Sequence, residues 1–185
     1  KHYTNRTATL PGKAMIVCMS RRNSVKMYEA LKAIGECPEV AVVMTGNIST
    51  DPIEWNEHIR TQDATEALKK RFRNPSDSLQ IVIVRDMWLT GFDAPCVHTM
   101  YIDKIMKGHN LMQAITRTNR VFKDKPSGVI VDYIGIGDQL KSATSKYTGG
   151  GGKGTPTIDI EQALNLFFNQ IDVCKSLIPE GIDYS

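Results

Sequence analysis

Gln113, Arg117 and Arg120 follow one another at i, i+4 and i+7 within the stretch LMQAITRTNR, residues 111–120. Wound as a helix at about 100° per residue, they share one narrow face. Leu111, Ala114, Ile115, Thr118, Val121 and Phe122 fall on the other side. The apolar side requires a core. The polar stripe directs two guanidiniums and an amide outward. Arginine presents a planar fork of donors that matches phosphate oxygens, so the chemistry on offer is stabilisation of an anion. The plainer alternative is a solvated helix face.

Three shorter groups could join that chemistry. TGFDAP, residues 90–95, holds Gly91, which lets backbone approach a ligand closely, and Asp93, which accepts hydrogen bonds from hydroxyls. Pro95 fixes the exit of the loop. MTG, residues 44–46, offers the Thr45 hydroxyl and the Gly46 amide to a phosphate. SRRN, residues 20–23, offers Ser20, Arg21 and Arg22. Each of the three, taken alone, also reads as an ordinary turn. Two glycine-rich stretches are decoys. In GGGGKGT, Lys153 is followed by Gly154, and Tyr147 stands where a phosphate loop needs its first glycine. In GIGDQL, residues 135–140, Leu140 replaces the small residue of a dinucleotide fingerprint.

The elements that must position these groups are legible as patterns. AMIVCM (14–19), VAVVM (40–44), QIVIVR (80–85), VHTMYI (97–102) and GVIVDY (128–133) are short Val- and Ile-rich runs. The first four barely alternate, which predicts strands covered on both faces. Helical sequence lies between most of them: 24–35, ending at Gly35; 63–74, opening at Asp63 with Glu66 three residues on; and 109–122. Strand and helix in alternation predict an α/β fold with a parallel sheet and helices on both faces. Ligands of such sheets bind at the carboxyl ends of the strands. The domain is expected over 13–147, after a lead-in at 1–12. TGGGGKGTPT (148–157) reads as a flexible linker, and 158–185 as the start of a helical region.

Composition narrows the class. The chain has 185 residues and a formal charge of +3, which permits nucleic-acid binding without arguing for it. No apolar run approaches the roughly 18 residues of a membrane span. The opening KHYTNRTATLPGK lacks a signal peptide's apolar core and an initiator methionine, so the chain reads as cut from a longer polypeptide. Cys18, Cys37, Cys96 and Cys174 form no CxxC pair and read as reduced thiols of a cytoplasmic protein. Cys96 and His98 have no second ligand pair beside them, so no metal site is expected.

In chain order, VCMSRRNSVKMYEAL, MTG, VRDMWLTGFDAP and QAITRTNR all follow strands or lie on the helix facing the strand ends. The series resembles the second RecA-like domain of superfamily 2 helicases and translocases, with a Ser/Arg motif IV, a Thr-Gly motif, a motif V with Gly and Asp, and a motif VI. Over DMWLTGFDAP and YIDKIMKGHNLMQAITRTNRVFKDKPSGVIVDYIGI it resembles more narrowly the motor (R) subunit of type I restriction enzymes. Thr116 and Asn119 stand where the general motif VI carries glycine. That departure suits the type I subgroup.

The resemblance implies a function. ATP would lie between this domain and a first RecA-like domain of the same polypeptide. That domain would supply the Walker lysine and the Mg²⁺-binding acids, neither of which is in this chain. Arg120 matches the arginine finger, Arg117 its companion and Gln113 the residue that opens the motif. Gly91 and Asp93 match motif V. Ser20, Arg21, Thr45, Gly46 and Thr90 match positions that grip the backbone of double-stranded DNA. The implied partners are the methylase and specificity subunits of the restriction complex. The alternative is a non-catalytic α/β module that binds nucleic acid or an acidic protein. An oxidoreductase would need an intact dinucleotide loop, which the chain lacks.

Overall fold

The computed structural model describes residues 1–106, 108–118, 128–135 and 137. Their frame is a five-stranded sheet built from the five apolar runs: β1 (Lys13–Cys18), β2 (Glu39–Val43), β3 (Leu79–Val84), β4 (Val97–Asp103) and β5 (Val129–Asp132). The order is β2-β3-β1-β4-β5 and every pairing is parallel. The expected α/β class is what the chain adopts. Lack of alternation has its physical cause here. Every residue of β1 is buried, with Met15 and Val17 in one apolar cluster and Ala14, Ile16 and Cys18 in another.

The helices cover the two faces. α1 (His2–Thr9) and α2 (Arg21–Lys32) pack, through Tyr3, Val25, Met27, Tyr28 and Leu31, on the Ile16 side. A 3₁₀ turn, Ile53–His58, joins them through Trp55. α3 (Gln62–Arg73) and α4 (Gly108–Thr118) cover the opposite side through Leu68, Phe72, Leu111 and Ala114. α1 and the 3₁₀ turn were not expected from the sequence. α1 buries no residue fully and attaches by a polar device, the Tyr3 hydroxyl donating to the Gly12 carbonyl at 2.9 Å.

Helix starts differ from expectation for a local reason. Ser20 caps α2 by accepting from the Asn23 amide, so the helix opens at Arg21 and not near residue 24. Thr61, not Asp63, caps α3 by accepting from Ala64. Asp63 falls in the first turn, where its charge suits the positive end of the helix. Gly35 lies two residues past the α2 cap Ala33 with φ +58°.

The link from β3 to β4 positions the site. It must return from the carboxyl end of one strand to the amino end of a parallel one, passing β1, and it carries no helix. At its start, Lys104 Nζ donates to the Arg85 carbonyl beside the carboxyl end of β4. At its end, the Lys13 amide at the amino end of β1 donates to the Cys96 carbonyl at 2.8 Å. Between those points the crossover lies on the sheet and buries Trp88, Leu89, Phe92 and Ala94 in the α3/α4 cluster. Large aromatics fill the volume a helix occupies in an ordinary crossover.

The linker 148–157, the tail 158–185 with Cys174, and most of GIGDQL lie outside the described residues. Among the described residues, no helix is long and apolar enough to cross a membrane.

Candidate functional site

The residues singled out by sequence collect in two clusters. The first is at the carboxyl ends of β1 and β2. Ser20 and Arg21 open α2 immediately after β1, and Thr45 and Gly46 follow β2. Arg21 joins them. Its Nη1 donates to the Thr45 carbonyl at 3.0 Å and to Asp51 Oδ2 at 2.7 Å, and its Nη2 donates to Asp51 Oδ1 at 3.0 Å. The guanidinium lies 4.9 Å from the Trp55 ring centroid. Asp51 also accepts from the Asn47 amide at 2.8 Å. The Arg21 guanidinium first, and that amide second, hold the Asp51 carboxyl below the usual aspartate range. A Cβ on Gly46 would come within 2.6 Å of Ile59 Cδ1 and 2.8 Å of Asp51 Oδ2, so only glycine fits the turn as it stands. Thr45 and Gly46 are exposed.

The second cluster is the crossover with α4 beside it. Arg117 Nε donates to the Leu89 carbonyl, so α4 grips the crossover directly. Thr90 and Gly91 are exposed next to that contact. Gly91 has φ +67°, and an added Cβ there would meet only open space. From the other side, Arg73 Nε in the last turn of α3 donates to the Asp93 carbonyl at 2.9 Å. Its guanidinium covers the Phe92 ring at 5.0 Å. Phe92 stacks on Trp88 at 4.5 Å, and Trp88 holds φ +65°, a left-handed backbone that bulky residues rarely adopt.

This geometry amends two expectations. TGFDAP was expected on a loop at the carboxyl edge. Instead it descends across the sheet face, and its last residues approach the amino edge, because the connection has to end at the amino end of β4. The stripe was expected to point outward. Gln113 and Arg117 are half-buried, and Arg117 is turned onto the crossover. The apolar side of α4 behaves as expected, with Leu111 and Ala114 fully buried. Thr90, grouped by resemblance with the DNA contacts, lies in the crossover with Gly91 and not with Thr45. Arg120 lies outside the described residues. Among the described residues no cluster of His, Cys, Asp or Glu is arranged to hold a metal.

Comparison with known proteins decides the kinship. The family model "Type I restriction enzyme subunit R domain 3" matches residues 53–135, which take in the crossover and α4. The type I restriction enzyme HindI endonuclease subunit of Haemophilus influenzae is 42% identical over 196 residues, covering 99% of this chain and 18% of its own. The chain belongs to the type I restriction enzyme R-subunit family. A Methanocaldococcus jannaschii chain assigned as the MjaIXP endonuclease subunit is 53% identical over 80% of this chain and 14% of its own. The chain thus spans less than a fifth of the R subunits it matches. The fold is shared with a Vibrio vulnificus fragment assigned to an HsdR subunit, at a TM-score of 0.55 and 19% identity over 75% of this chain and 27% of that one. It is shared equally with the C-terminal domain of the DEAD-box protein Dbp5, at 0.54 and 19% over 79% and 75%. This R-subunit segment therefore has the fold of a helicase C-terminal RecA-like domain.

Sequence reasoning missed Asp51, Trp55, Arg73, Trp88 and Phe92, which organise the two clusters. Trp88 and Phe92 carried a signal. Two large aromatics four residues apart, in a short connection that holds glycine and proline, mark a segment that buries apolar surface.

Proposed function

We propose that this segment is the second RecA-like half of an ATP-dependent DNA translocase motor within a type I restriction enzyme. The observation that carries the reading is the Arg117 to Leu89 hydrogen bond, which joins the motif VI helix to the motif V segment. A motor needs such a joint so that events at nucleotide are felt where the chain holds DNA. Gln113, Gly91 and Asp93 face ATP in this reading, and open space beside the Gly91 backbone favours close approach. Arg120, with Arg117 as companion, stabilises the charge that grows on the transferring phosphoryl group. Mg²⁺ is held by the first RecA-like domain of the same polypeptide.

The carboxyl-edge cluster serves the other half of the cycle. Ser20, Arg21, Thr45 and Gly46, with Thr90 from the crossover, grip the phosphate backbone of double-stranded DNA. Such contacts position without reading sequence, as a translocating motor requires. Arg21 enters this role through its hold on the Thr45 turn, since its fork already spans Asp51. Closure on ATP shifts the grip relative to the first domain, and hydrolysis releases it. Site recognition is left to the specificity subunit and modification to the methylase subunit, in the cytoplasm.

The test is DNA-stimulated ATPase of the intact R subunit assembled with those partners. Arg120→Ala is expected to lower turnover by about 10³-fold, the scale of an arginine finger. DNA binding, followed in parallel, is expected to persist and to weaken steeply with salt. The 185-residue chain alone is expected to show no hydrolysis. Unchanged turnover in Arg120→Ala, or robust hydrolysis by the chain alone, overturns the reading.

A further inference from the structure

A connection that lies on a sheet face without forming a helix leaves its own carbonyl groups to be satisfied by others. The crossover solves this with side chains from both flanking helices. Arg117 of α4 donates to Leu89, and Arg73 of α3 donates to Asp93. Between those two points lie Thr90, Gly91 and Phe92. Arg73 does a second job, since the Phe92 ring is pinned between its guanidinium at 5.0 Å and the Trp88 indole at 4.5 Å. Phe72, one residue before Arg73, closes the stack against Phe92 at 6.2 Å and Trp88 at 6.0 Å.

The stack holds a backbone that would not hold itself. Trp88 and Gly91 are both left-handed, three residues apart, at φ +65° and +67°. Glycine adopts that region without penalty, but for tryptophan it is strained and persists only where surroundings over-determine it. The Trp88 Nε1 is buried and finds no hydrogen-bond partner among the described residues. Packing, not hydrogen bonding of the indole, therefore sets its position.

We propose that Arg73 is a positioning residue for the motif V segment, fixing Thr90–Asp93 in the conformation that meets nucleotide and DNA. Arg73 itself is exposed at the end of α3 and its removal opens no core cavity. Its effect runs through the Asp93 carbonyl and the Phe92 ring. The inference rests on the motor reading above.

The experiment uses the intact R subunit assembled with its partner subunits and compares wild type, Arg73→Met and Arg73→Lys. Arg73→Met keeps most of the aliphatic stem and loses both the Nε donor and the cation. It is expected to lower DNA-stimulated kcat by about tenfold or more, the scale of a small misplacement of reacting groups, while the KM for ATP changes little. Arg73→Lys keeps a cation for the ring and should recover part of the loss. Hydrogen exchange supplies a readout apart from activity. Amides of 85–95 should exchange faster in Arg73→Met, while those of β3 and the first turns of α3 stay as in wild type. Wild-type turnover in Arg73→Met, or exchange that rises equally throughout α3 and β3, overturns the proposal and leaves the motor reading standing. A wild-type enzyme without DNA-stimulated hydrolysis overturns the motor reading, and this proposal with it.

Discussion

The two clusters are held by different physics. At the carboxyl edge, the Thr45–Asp51 turn is tied to α2 by a charged pair, Arg21 with Asp51, backed by a ring face. In the crossover, Thr90–Asp93 is held by buried aromatics, and its two arginine bonds run to carbonyl oxygens that do not titrate. A turn held by ions at the surface is tuned by pH and salt and can yield without disturbing the core. A crossover wedged between two helices cannot move without moving Phe72, Trp88 and Phe92 together. Of the two, the crossover is the stiffer, and the edge turn is the one that can yield by itself.

The largest expected effect tests the packed side of this contrast. Phe92→Ala, in a side chain 3% exposed, should destabilise the domain by about 3–5 kcal/mol, seen as a lower Tm in thermal unfolding. Asp51→Asn should cost clearly less in the same measurement. Equal losses would break the comparison. Gly91→Ala comes next. The added methyl meets nothing, so the cost is that of a left-handed alanine, about 1–2 kcal/mol. Gly46→Ala sharpens the point, because there the obstacle is contact with Ile59 and Asp51 and not backbone φ. It should disturb the Arg21–Asp51 pair, visible as faster exchange of the Asn47 amide.

The smallest effect is the acid response. Asp51 has a lowered pKa in the folded chain, so its share of stability is complete above the ordinary aspartate value of 3.8. It is lost as pH falls through the lower folded value. The Asn47 amide, bonded to Asp51, should lose protection in that window, while amides of the crossover hold theirs. Loss at both places together would mean that the two clusters are one cooperative unit.

Much of the frame was legible because it is local. Runs such as AMIVCM and QIVIVR read as strands covered on both faces, and β1 and β3 are buried along their length apart from the half-buried Gln80. The apolar side of LMQAITRT was legible for the same reason, since burial of Leu111 and Ala114 follows from helical spacing alone. Helix starts were less legible. A cap depends on which of several nearby hydroxyls and carboxylates meets the free amides, and Thr61 took the place expected for Asp63.

The amino-acid sequence by itself determined the α/β class, the membership of the strands, the order of the motifs and their resemblance to an R subunit. Each is written in periodicity or in contiguous residues. Only the tertiary structure decided that β3 and β4 flank β1, which sends TGFDAP across the sheet face instead of leaving it at the carboxyl edge. It alone paired Arg21 with Asp51, Arg73 with Asp93 and Arg117 with Leu89, across 30, 20 and 28 positions of chain. Periodicity records which face of an element is buried. It holds no record of which distant carbonyl or carboxylate will stand opposite a given arginine once the faces close.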